Sequence, residues 1–217
     1  APRICNWRAL LSATGLLERG RGVPDIRRRH RYEWRDIRKA LRLFLRSNPA
    51  FIVWIQSPIQ YMVSGNFVGA ARELLPVVYP CERGIYHYRS MAKTNYRGYL
   101  RADLVPLKKY FYALRPLLAV RWIETCRAAP PIEFQRLLSL LAEQEELLAD
   151  IYSLLERKKQ SAERELAPPV RSLNTFIENE LVRLETLSVD KTQSGTAVAK
   201  LNALFRAVLD ESTSGMR

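Results

Sequence analysis

Apolar and polar residues alternate along most of this chain with the period of a helix. From Trp34 the string "WRDIRKALRLFLRSN" places Trp34, Ile37, Leu41 and Phe44 on one helical face, with basic residues elsewhere. Asn48-Pro49 ends that helix, because the residue before a proline is pushed out of the helical region. "PAFIVWIQSPI" predicts a short buried helix broken at Pro58, and a further helix is expected over 67–75, stopping at Pro76 before a brief extended "VVYP". Two longer helices follow, near 82–100 and 105–127. In the first, Ile85, Tyr88, Ala92 and Tyr99 can face a core. In the second, Leu107, Phe111, Leu114 and Leu118 make the seam, and Pro116 should kink it by removing a backbone donor. Helices near 132–141, 143–165 and 170–188 come next, then a turn-like "SVDKTQSG" and a last amphipathic helix, "TAVAKLNALFRAVLDE". No segment reads as a strand. The prediction is an all-α helical bundle with a poorly structured basic N-terminal segment, in three parts: an irregular 1–31, a helical region 32–129, and C-terminal helices 130–217 of the same bundle.

Composition changes this picture in one respect. Hydrophobic content of 47% and charged content of 26% are ordinary for a folded chain of 217 residues. A net charge of +13 with pI near 10.0 is not, and it favours anionic partners. No apolar run approaches the roughly 18 residues of a membrane span. No signal-like start is present either, so a soluble, cytoplasmic protein is expected. Cys5, Cys81 and Cys126 lack paired ligand spacing and read as small core residues in a reducing compartment. With His30 and His87 the only histidines, no histidine-rich metal site can be assembled. Trp34, Trp54 and Trp122 lie on apolar faces and read as packing residues, and Asp25 and Asp36 are too isolated for a two-metal pair.

The charge is concentrated. Between Glu82 and Glu124 the only carboxylate is Asp103, against Arg83, Arg89, Lys93, Arg97, Arg101, Lys108, Lys109, Arg115 and Arg121. Tyr86, Tyr88, Tyr96, Tyr99, Tyr110 and Tyr112 are interleaved with them. Solvated helices usually mix signs at i,i+4, as "AEQEELLADIYSLLERKKQSAERE" with its Glu145-Glu146 does in the same chain. A face so short of acids suits charge-assisted contacts to phosphate, with tyrosines available for base stacking. The alternative is a solvated face with core tyrosines. No P-loop, dinucleotide or nucleophile-elbow motif occurs.

Four strings, "WRDIRKALRLFLRSNPAFIVWIQSPIQY", "YHYRSMAKTNYRGYL", "KKYFYALRPLLAVRWIE" and "PPIEF", occur in one order. Over residues 34–185 the chain thereby resembles the carboxy-terminal helical region of the DNA-polymerase-beta-like predicted nucleotidyltransferases, in the branch linked with RNA repair. The resemblance implies nucleotide or RNA as partner, with Lys108, Lys109, Tyr112 and Arg115 as candidate phosphate or base contacts, and His87, Arg89 and Lys93 as weaker ones. In that family an amino-terminal α/β domain holds a nucleoside triphosphate with a Gly-Ser loop and two magnesium ions with closely spaced aspartates. Before Trp34 this chain has neither motif, so no catalytic residue, metal ligand or cofactor of its own is expected. A basic helical binding module and a non-functional truncated product are the alternatives.

Residues 1–31 admit two readings. One is a genuine basic arm. The other is a misframed remnant of the missing motif: codons for Val23 to Arg31, read one base later, can spell Phe-Pro-Thr-Ser-Asp-Ala-Asp-Ile-Asp, which has the family's aspartate spacing. Codons for Leu16 to Val23, read two bases later, can spell Ser-Gly-Ala-Arg-Ala-Trp-Gly, close to its Gly-Ser string.

Overall fold

A computed structural model describes residues 33–59, 65–160, 165–187 and 195–214. The expectations for 1–31, and for most of the loop before the last helix, lie outside them. Among the described residues the chain is helical almost throughout, in nine α-helices with one two-stranded sheet, as the period predicts. They fall into two compact units, one from residues before 81 together with those from 192 on, the other from 81 to 191.

The first unit holds α1 (Glu33–Leu45), α2 (Pro49–Gln56), α3 (Phe67–Val78) and α9 (Gly195–Ser214). Ala40, Leu41 and Phe44 are buried on one face of α1. The helix closes at Ser47, which takes a left-handed φ of 50° and donates its hydroxyl to the Pro80 carbonyl at 3.1 Å. Asn48 then caps α2 by accepting from the Phe51 N–H at 3.1 Å, with Pro49 at the first helical position, where its missing donor costs nothing. Phe44 and Phe51 meet across this corner with centroids 5.6 Å apart. Pro76 does not stop α3. The helix runs on through Val77 and Val78 until the Tyr79 N–H bonds the Leu75 carbonyl at 3.0 Å. A proline one turn from the end removes only one bond, and burial of Val78 holds the last residues in helix.

The second unit is built on a hairpin of α4 (Cys81–Tyr99) and α5 (Lys108–Cys126). Ile85, Tyr88 and Ala92 are buried as their spacing predicts, but Tyr96 rather than Tyr99 completes the row, at 5% exposure against 44%. Tyr99 is the last residue of α4, beyond the end of the packed seam. Helix α5 is buried nearly all round: Tyr110, Ala113, Leu114, every position from Pro116 to Val120, and Ile123. Phe111, expected in the seam, is half-buried and packs edge-on to Phe134 at 5.9 Å. Helix α5 passes through Pro116 and ends where Arg127 takes a left-handed φ of 50°.

Around the hairpin lie α6 (Phe134–Leu138) with a 3-10 turn at Ser139–Leu141, α7 (Glu145–Gln160) and α8 (Arg171–Glu185). The loop into α5 forms β1 (Val105–Pro106), antiparallel to β2 (Leu166–Ala167), and the Leu107 N–H bonds the Glu165 carbonyl at 3.2 Å. Two-residue strands show no period, so the sequence could not display them. Of the cysteines expected in a core, Cys81 is half-buried and Cys126 is exposed, because it sits on the last turn of α5. Burial, then the neighbouring Glu82, pushes the Cys81 thiol up. Trp54 and Trp122 are half-buried, and Arg136 covers the Trp122 ring at 5.7 Å.

Candidate nucleic-acid interface

Much of the acid missing from the α4–α5 sequence is returned by α8. Lys93 pairs with Glu185 at 2.8 Å. That bond, reinforced by Arg89 and Arg97, holds the exposed Glu185 carboxyl below its usual range. Tyr96 donates to Glu178. Arg121 pairs with Glu180 at 2.7 Å, and Arg183 bridges Glu180 and Glu124 at 3.0 and 2.8 Å. Burial alone would raise the Glu180 carboxyl. The hydrogen bonds from Arg121 and Arg183 outweigh it and leave the group below its usual range. The stripe at 89, 93 and 97 thus has an acidic neighbour some ninety residues away in sequence.

Lys109 has none among the described residues. Its ammonium stands 3.6 Å from the centroid of Tyr99 and 5.2 Å from that of Tyr112, a cation held by two rings at the mouth of the hairpin. Lys108 precedes it, half-buried, at the start of α5. Arg101 is exposed on the connecting loop. One position beyond Tyr110, Phe111 carries the Lys158 ammonium 5.4 Å from its centroid. Burial lowers the Lys158 ammonium's pKa. Lys158 therefore does not belong to the ion-paired face of α7, as the mixed-charge sequence suggests. Lys159 does, pairing with Glu156 at 2.6 Å.

This mouth is fastened from behind. The fully buried Tyr110 donates its hydroxyl to the Asn174 side-chain oxygen at 2.8 Å and accepts from the Val170 N–H at 2.9 Å. The Asn174 amide donates onward to the Leu100 carbonyl at 3.3 Å. The end of α4, the start of α5 and the start of α8 are tied through one phenol, which fixes the backbone under Tyr99 and Lys109.

Of the residues singled out from the sequence, the fold brings Lys109 and Tyr112 together, with Lys108 one residue earlier on α5. Arg115 lies six residues beyond Lys109, about 9 Å along the helix. Its guanidinium donates to the Ile132 and Pro131 carbonyls at 2.6 and 3.3 Å, and burial lowers its pKa. His87 is exposed on α4, twelve residues before Tyr99, and Arg89 and Lys93 face Glu185. Tyr99 is the residue the sequence reading misplaced. Its closeness to Lys109 across a short connection was the available signal. Glu145 and Glu146 are exposed, as expected. Among the described residues no three of His, Cys, Asp and Glu stand together as metal ligands.

A family model described as the RNA repair pathway DNA polymerase beta family matches residues 18–207. The chain belongs to this family. It is also 36% identical over 177 residues to the uncharacterised protein YcgL of Bacillus subtilis (strain 168), covering 81% of this chain and 68% of that one. No solved structure matches it. Membership agrees with the four strings read from the sequence, and the matched span includes all of the α4–α5 hairpin and its mouth.

Proposed function

We propose that the chain supplies the nucleotide- or RNA-contacting helical region of a polymerase-beta-like nucleotidyltransferase, and that the mouth of the α4–α5 hairpin makes the contact. The observation that carries this reading is Lys109, an ammonium seated on Tyr99 and Tyr112 with no carboxylate beside it among the described residues. A phosphate is the complement of such a cation. The half-buried Tyr112 and exposed Tyr99 offer ring surface to a base at the same place. Lys108 adds a second charge. Arg115 serves this site from behind, by holding the 131–132 turn against α5. His87, Arg89 and Lys93 stand outside the contact proper and contribute through the field along α4.

Nucleotidyl transfer itself needs carboxylates that converge on the phosphates through metal ions. This chain's own residues bind and orient, and the transfer chemistry belongs to the Gly-Ser and aspartate motif that the sequence before Trp34 does not show. The isolated chain, assayed with magnesium or manganese and each labelled triphosphate, is expected to incorporate nothing above a heat-killed control.

Binding is tested by reversing Lys108 and Lys109 to glutamate and titrating an unstructured oligoribonucleotide at several salt concentrations. Two lost phosphate contacts should lower the slope of log K against log salt by about 1.4. Reversing Lys159, which is paired within α7, should change it little. Equal effects from both would leave net charge as the cause and remove the site.

A further inference from the structure

The chain has a second stretch without acids. Between Asp36 and Glu73 there is no carboxylate, and the cations are Arg38, Lys39, Arg42, Arg46 and Arg72. Arg72 is committed within the fold, donating to the Ile55 and Ser57 carbonyls at 2.5 and 2.6 Å. The other four lie on α1 or one residue past its end, within an arc of about 100° at helical spacing, opposite the buried Ala40, Leu41 and Phe44. Arg38, Lys39 and Arg42 are exposed and have no ion pair among the described residues. Arg38 is braced by the ring of Phe205 from α9, 5.5 Å below its guanidinium. The contrast with α4 is direct: that stripe meets Glu185, and Arg38, Lys39 and Arg42 meet no acid among the described residues.

We propose that this face of α1 is a further contact for the sugar-phosphate backbone of single-stranded RNA. The proposal rests on the reading above that the chain meets RNA, and it adds a backbone contact on the other compact unit. An anionic membrane suits the face poorly, since surface-seeking helices insert an apolar side, and here that side is buried within the unit. An acidic protein suits it poorly too. Protein interfaces are anchored by buried aromatic or aliphatic residues, and among the described residues the exposed large hydrophobic residues of this unit, Val77 and Val198, lie on α3 and α9. A backbone of regularly spaced phosphates needs only cations, and is bound without regard to sequence.

The test uses the full chain with Lys39→Glu and Arg42→Glu together, both exposed, with the melting temperature checked against wild type. Binding of an unstructured oligouridylate should weaken, with the salt slope lowered by about 1.4, while the charge-preserving pair Lys39→Arg and Arg42→Lys keeps wild-type behaviour. Binding of a single nucleoside triphosphate should be unchanged by the reversal, but weakened by reversing Lys108 and Lys109. Unchanged oligouridylate binding and slope would overturn the proposal. So would an equal loss from reversing Lys159 and Lys200, which would make net charge responsible. Loss of binding to anionic vesicles with RNA binding intact would assign the face to membrane instead. If the α1 reversal weakens RNA binding and the Lys108 and Lys109 reversal does not, the hairpin-mouth reading fails and this face stands.

Discussion

Tyr110 shows how much of the site depends on one hydroxyl. Its ring is fully buried, and its oxygen links Asn174 and the Val170 N–H. Tyr110→Phe keeps the volume but strips a partner from a buried amide oxygen and a backbone donor, so it should cost about 1–3 kcal/mol of stability. Thermal or urea unfolding measures this directly, and a loss below a few tenths would mean water replaces the phenol. Binding should weaken as well, because Leu100 and the backbone under Tyr99 lose their tie to α8. Tyr99→Ala removes an exposed ring and should leave the melting temperature nearly unchanged. It should still lower affinity for an unpaired base by about 1–3 kcal/mol. The place of Tyr112 beside the core seam of α5 was legible from its spacing to Lys108. That of Tyr99 was not, because its helical phase also fits the core face and only the position of the helix end exposes it.

Helices were legible because their apolar faces recur with a 3.6-residue period, and the chain supplies that period from Trp34 onward. Pairing between helices was not. The acid shortage of α4 and α5 is a fact of local sequence, while Glu178, Glu180 and Glu185 reach those helices from α8 only after folding. That is why Lys93 looked like a ligand contact and now has a carboxylate partner. The same pairing sets a pH dependence. The folded Glu180 carboxyl sits below its usual range, so its contribution is present above the unfolded carboxylate value and is lost as pH falls through the folded one. Glu180→Gln should therefore destabilise the chain at neutral pH, with the difference from wild type shrinking on acidification. A gap that stays constant down to low pH would contradict this. At the alkaline end, burial pushes the Tyr88 and Tyr96 hydroxyls up to about 12, the second helped by Glu178. Stability should fall as pH rises from about 10 through 12. Tyr96→Phe should make that fall shallower, which unfolding in urea across the range will show.

At the scale of the whole molecule, a chain of +13 belonging to an RNA-repair polymerase-beta family carries its acid-poor stretches on helices. The family match begins at residue 18 and so includes part of the arginine-rich segment before Trp34. Whether that segment is a basic arm or a shifted reading of the aspartate motif is decided by the coding DNA. A remnant predicts the Ser-Gly-Ala-Arg-Ala-Trp-Gly and Phe-Pro-Thr-Ser-Asp-Ala-Asp-Ile-Asp strings, or close relatives, in the other two frames, and a genuine arm predicts neither. The central claim concerns the hairpin mouth, and photo-crosslinking tests it most directly. An unstructured oligoribonucleotide carrying photoreactive uridines is bound to the full chain at low salt, irradiated, and the adducts mapped by mass spectrometry. Adducts on the peptides containing Tyr99 and Tyr112, suppressed by reversing Lys108 and Lys109, are the predicted result. Saturating binding with no adduct on either peptide would contradict it.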